Sequence, residues 1–180
     1  MKALTKNESG FNPSDTSGPA WGLMQLVETV RNGYNDRHGT NYSRNDLLSP
    51  DTNVKIASDL LNRIVIAYGK HPDPNMKENW HNPEFVKLVT AGWNSGYSEG
   101  GGVGKVAKYL EAKGIPVTHD NVFEFADDAG ATKHLSNPQK KAWQQKVAST
   151  FYQVGGPGKG GIVAGALIAG AVAYAFLRLA

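Results

Sequence analysis

The chain has 180 residues, enough for one domain with a proper core and a short appendage. It contains no cysteine, which removes disulfides, cysteine-ligated metal and thiol nucleophiles and leaves the redox compartment open. The net charge is +3; setting aside Lys159 and Arg178 in the tail leaves 17 basic against 16 acidic groups, with no basic stripe, so a nucleic-acid footprint is not supported.

The opening MKALTKNESG lacks the apolar run of a secretory signal. It predicts a short helix from about Lys2 to Ser9. Met1, Leu4 and Glu8 are spaced i, i+3, i+7, so Glu8 shares the apolar face rather than that of Lys2 and Lys6. A carboxyl held against apolar neighbours resists ionisation, so its pKa is expected to rise. Such a group can still donate a proton near neutral pH, as a general acid must. The bland alternative is a helix-end carboxylate that bonds to the following loop.

Asn12-Pro13-Ser14-Asp15 and Ser17-Gly18-Pro19 then turn the chain. A second helix is expected to start at Trp21 and run towards Asp36, with a break at Gly33. Gly22 lets something approach its backbone closely, and Gln25 offers both donors and acceptors. A strong helix follows Leu47-Leu48-Ser49-Pro50-Asp51, capped by Ser49 or Asp51. Its stripe of Ile56, Leu60, Ile64 and Ala67 marks it as the central buried helix, ending near Tyr68-Gly69.

Residues 70–82 are polar and proline-rich and read as a surface loop. Asn82 caps a helix with Pro83 at its first position, carrying Phe85, Leu88, Val89 and Trp93 and ending at Asn94-Ser95-Gly96. The glycine-rich residues 98–104 read as a mobile loop. Further helices are expected from Val103 to Lys113, from about His119 to Ala129 behind a Thr118 cap, and from Pro138 to Val154 behind Ser136 or Asn137. No stretch alternates as a strand would, so the chain to Val154 is expected to be all-α.

Residues 155–161 are mostly glycine and form a flexible linker. From Gly160 to Leu177 there are 18 uncharged residues, about 27 Å as a helix and the lower limit for spanning a bilayer. Residues 162–180 are therefore expected to be a transmembrane anchor, with a lipid bilayer as partner. A buried helix of the domain is the alternative, and the glycine linker and missing polar face argue against it. Gly161, Gly165, Ala169 and Ala173 form a small-residue stripe suited to self-association. Lys159 and Arg178 flank the segment at opposite ends, so charge sets no orientation. A tail anchor without a leading signal would suit a protein carried in the lipid layer of a virus particle.

Two segments together, Glu8-Ser9, Phe11, Asn12-Pro13, Ser17 and Gly22 to Gln25, then Ala91-Gly92-Trp93-Asn94-Ser95-Gly96, resemble the SLT lytic transglycosylases of goose-type-lysozyme-like fold. Leu47, Pro50 and Asn53 are similar to that family's entry into its central helix. The resemblance covers roughly residues 1–152. It departs from the family in three places: the Ser17-to-Gly22 spacing is one residue short, Trp93 stands for the usual tyrosine, and the late tyrosine segment is missing. Trp143 and Tyr152 are weak substitutes for that tyrosine.

The resemblance implies an enzyme that cleaves the β-1,4 bond between N-acetylmuramic acid and N-acetylglucosamine in peptidoglycan, which the apolar tail would tether to a membrane. Glu8 would be the single acid/base, and the substrate's own groups would close a 1,6-anhydro ring. Ser17, Met24, Gln25 and Asn94 would line the groove, although methionine at helical spacing is more often core. Among the aromatics that could stack on sugars, Trp93 fits the apolar face of its own helix, and Tyr97 is preferred over it and Trp21.

No metal or organic cofactor is implied. Two rivals stand beside this reading. A hydrolytic lysozyme would use Glu8 with Asp15 as the second carboxylate, though Asp15 reads more simply as a turn residue. A glycan-binding or membrane structural protein would use a retired version of the fold. The five histidines show no metal-ligand spacing and are expected at the surface. Asp127-Asp128 reads as a solvated helix end.

Overall fold

The computed structural model describes residues 1–156. They fall into two compact units, Met1–Asn62 and the residues from Arg63 onward, and the division lies inside a long helix. The described residues are mostly helical, with seven α-helices.

The first unit contains α1 (Lys2–Glu8), α2 (Glu28–His38) and the first part of α3 (Pro50–Gly69). This agrees with the expected helical class, with one local departure between α1 and α2. Three strands of two residues each, β1 (Thr16–Ser17), β2 (Ala20–Trp21) and β3 (Leu26–Val27), form an antiparallel sheet in the order β1-β2-β3. Thr16 faces Trp21, and Trp21 faces Leu26.

The helix expected from Trp21 is absent because two of its residues take left-handed conformations, Gly22 at φ +78° and Gln25 at φ +45°. Helix α2 therefore starts only at Glu28 and passes through Gly33 without a break. The core of this unit is Ala3, Leu4, Leu23, Met24, Leu26, Tyr34, Leu47, Ile56 and Ala57.

Along α3, Ile56 and Ile64 are buried while Leu60 and Ala67 are half-buried. The more deeply buried helix is α4 (Pro83–Ser95) in the second unit, which buries Phe85, Val86 and every residue from Leu88 to Gly92. It packs against α5 (Val103–Ala112), α6 (His119–Glu124) and α7 (Pro138–Gln153). Tyr68 is 1% exposed and its hydroxyl donates to the Leu88 carbonyl at 3.0 Å.

The caps expected at Asn82, Thr118 and Asn137 form, while Asp51 lies inside α3 rather than before it. The side chains of Asn82, Thr118 and Asn137 accept from Glu84 N–H, Asn121 N–H and Gln139 N–H. Helix α6 is shorter than expected and ends at Glu124; the residues after it turn instead, with Ala131 N–H on Ala126 O at 2.8 Å.

Residues 98–104 are not the loose loop that their glycines suggest. Gly102 N–H, Val103 N–H and Gly104 N–H bond to the carbonyls of Ser98, Gly96 and Tyr97 at 2.9, 2.9 and 3.1 Å. A Cβ on Gly102 would overlap the Gly96 backbone, and one on Gly104 would crowd the Tyr97 carbonyl. These glycines allow backbone to pack on backbone.

No helix among the described residues is long and apolar enough to cross a membrane. The expected anchor, and all of the linker after Gly156, lie outside the described residues.

Candidate active site

Glu8 is the last residue of α1 and is half-buried. The helix is seated by its neighbours. Ser9 Oγ donates to the Leu23 carbonyl at 2.8 Å, and Thr5 Oγ1 donates to Met24 Sδ at 2.9 Å. The acid is thus fixed to the Gly22–Gln25 segment from both sides of its helical turn.

That segment is in turn held by Asn53 of α3, which has no exposed surface. Asn53 Oδ1 accepts from Met24 N–H at 2.9 Å, and Nδ2 donates to the carbonyls of Trp21 and Leu47 at 2.9 and 2.8 Å. All three are main-chain groups, and Met24 lies in the turn between β2 and β3, outside the strand ladder. Any Cβ at position 22 would run into the Leu47 carbonyl and the Asn53 amide, so the close approach expected of Gly22 is to the protein's own chain.

Gln25 uses both hydrogens of its amide inside the loop. Nε2 donates to the carbonyls of Asp15 and Gly22 at 3.1 and 2.9 Å. Only Oε1 remains to meet a substrate, so Gln25 offers an acceptor and not the donors expected of it. Asp15 serves this loop through its main chain, its carbonyl also accepting from Gly22 N–H at 2.8 Å.

Ser17 is exposed in β1. Met24 is fully buried with its sulfur facing Thr5, so it packs beneath the segment; this corrects the expectation that its side chain lines the groove. Phe11, part of the motif but not singled out for binding, is 48% exposed at φ +70°. A bulky residue in that region is strained, and such strain gathers at functional sites. Nothing in the sequence marks Phe11 out beyond its being aromatic. Arg44 lies 4.5 Å from the centre of the Trp21 ring, which makes Trp21 a partner of a cation rather than an open platform.

In the second unit, Asn94 is half-buried on the last turn of α4. Its Oδ1 faces Lys140 Nζ at 3.3 Å and Gln144 Nε2 at 3.4 Å. Tyr97 is half-buried, with the Arg63 guanidinium 5.5 Å from its ring centre. It lines a cavity of about 310 Å³ together with Tyr68, His71, Lys108 and Glu111.

The weak substitute Tyr152 donates its hydroxyl to the Trp80 carbonyl at 3.2 Å, and burial raises its pKa. Among the described residues no group of three or more His, Asp and Glu is placed to hold a metal ion.

Two histidines are not at the surface as expected. His71 is largely covered, its Nε2 3.4 Å from Glu111 Oε2. His119 is fully buried, with Nε2 2.9 Å from Gln144 Oε1. Burial holds its imidazole below the ordinary pKa, the Gln144 bond working the other way, so it is neutral at pH 7.

The Transglycosylase SLT domain family matches residues 1–112, more than half of the chain. The match takes in Glu8, the Gly22–Gln25 segment, Asn53, Asn94 and Tyr97, and stops short of α6 and α7. No curated protein and no solved structure matches the chain. The chain belongs to the SLT transglycosylase family, and its activity is that of a peptidoglycan lytic transglycosylase.

Proposed function

We propose that Glu8 is the acid/base of this transglycosylase and that the product carries a 1,6-anhydro ring on N-acetylmuramic acid. The observation that carries this reading is the seating of Glu8. Its helix end is bonded to the Gly22–Gln25 segment through Ser9 and Thr5, and that segment is locked by Asn53. A catalytic acid needs such a rigid mount, because proton transfer demands placement to within a fraction of an ångström.

In the first half of the reaction Glu8 gives its proton to the glycosidic oxygen, and the bond from that oxygen to C1 of N-acetylmuramic acid breaks. In the second half the Glu8 carboxylate takes the proton of the same sugar's C6 hydroxyl, whose oxygen closes on C1. No water enters. Gln25 Oε1 and the exposed face of Phe11 are the groups of this unit that we assign to the glycan, with Ser17 beside them. In the second unit the assigned groups are Asn94 and Tyr97.

Mass spectrometry of the released fragments tests the chemistry. The anhydro product is lighter by one water than the product of hydrolysis. In the same assay Asp15→Asn should retain most of the wild-type rate, since Asp15 acts through its main-chain carbonyl. A hydrated product, or loss of turnover in a folded Asp15→Asn protein, would favour a two-carboxylate hydrolase instead.

We also propose that residues 162–180 anchor the enzyme in a lipid bilayer, on the strength of the 18 uncharged residues from Gly160 to Leu177. The full chain should co-sediment with lipid vesicles, and the double variant Leu167→Lys, Val172→Lys should stay in the supernatant. Equal sedimentation of the two would remove the anchor.

A further inference from the structure

Helix α7 lies beyond the residues that match the family, yet it carries the one buried glutamine of the core, Gln144, with no exposed surface. A buried amide is unfavourable unless it is fully bonded. Gln144 reaches three partners on other elements: His119 Nε2 at 2.9 Å, Ser95 Oγ at 3.1 Å and Asn94 Oδ1 at 3.4 Å.

The direction of each bond can be worked out. Lys140 has only donors, so the Asn94 atom facing it must be the oxygen. Gln144 must then present its NH₂ to the same oxygen, which turns its Oε1 towards His119. His119 answers with an Nε2–H and leaves a bare, buried Nδ1 lone pair. The opposite tautomer would bury an unpaired Nδ1–H, and orphaned buried N–H groups are the rarer of the two defects. Neutral His119 therefore orients Gln144, and Gln144 with Lys140 orients Asn94. The outcome is that the Asn94 NH₂ is turned away from this network and remains available as a donor.

We propose that Gln144 is a positioning residue of the transglycosylase: it holds the Asn94 carboxamide so that the Nδ2 hydrogens point to the glycan, and His119 in turn sets Gln144. This rests on the reading that Asn94 contacts the glycan. An Asn amide that has lost this partner is free to turn its oxygen to the sugar, and an acceptor facing an acetamido carbonyl would repel it.

A double-mutant cycle on the full chain tests the proposal, with kcat/KM measured on soluble peptidoglycan fragments. Gln144→Leu should lower kcat/KM about tenfold, the scale of one misplaced hydrogen bond. Asn94→Ala should lower it at least as much, and the double variant should be no worse than Asn94→Ala alone. A merely structural role for Gln144 would make the two losses multiply, and that result overturns the proposal. Loss in Asn94→Ala with full activity in Gln144→Leu also overturns it while sparing Asn94. Full activity in Asn94→Ala removes Asn94 from the glycan site and the proposal with it.

Should Gln144→Leu not fold, Gln144→Glu keeps the volume and can still accept from His119. It cannot donate to Asn94, so the same loss and the same absence of multiplication are expected from it.

Discussion

Glu8→Gln should cut the release of peptidoglycan fragments by about 10²–10⁴-fold, the usual worth of a positioned acid/base. Glutamine has nearly the same shape, so substrate access is unchanged, but its amide neither gives a proton to the leaving oxygen nor takes one from the C6 hydroxyl. Thr5 and Ser9, which bond α1 to the Gly22–Gln25 segment, are untouched by this change, so α1 should keep its seat. Fragment release within tenfold of wild type, in a protein whose melting is unchanged, would remove Glu8 from the chemistry.

The second large effect is on stability. Asn53→Ala strips the partners from Met24 N–H and from the carbonyls of Trp21 and Leu47 in a single step. Each buried backbone group left unpaired is worth about 1–3 kcal/mol. Partial rescue by water in the new space brings the expected loss in urea unfolding to about 3–5 kcal/mol, well above the ordinary point substitution. Asn53→Asp is a sharper comparison: it keeps the acceptor for Met24 N–H, loses both donors, and buries a charge. A loss below about 1 kcal/mol for Asn53→Ala would show that water carries these contacts as well as the amide does.

The helix entries were legible because each is written in a few neighbouring residues. Asn82-Pro83, Thr118 and Asn137-Pro138 each satisfy an N–H two or three positions on, whatever surrounds them. The sheet was not legible, because strands of two residues are too short to show alternation. The stretch Trp21 to Gln25 has helix-like composition, and what overrides it is the left-handed backbone at Gly22 and Gln25.

The glycines of residues 98–104 misled for a related reason: composition reports freedom of the chain, whereas here that freedom is used up in close backbone packing. At the site, Glu8 and Gln25 could be read from their motif. The loss of Gln25's donors could not, since they go to carbonyls whose positions only the folded loop defines. His119 was misplaced because the group that makes its burial tolerable, Gln144, lies on another helix.

The Asn53 carboxamide joins Met24 to a helix that begins far downstream in the chain. The segment behind Glu8 therefore has only its local bonds when it is first made, and gains the Asn53 hold once α3 exists. Closing that intervening length of chain is an entropic toll on top of the local turn. The end of α1 that carries Glu8 thus belongs to the late-forming part of its unit, and it loses this support when α3 frays or lifts. Opening of this kind need not unfold the small core around Tyr34 and Leu26. The enzyme can accordingly be silenced by a local loosening, with most of its helices still in place.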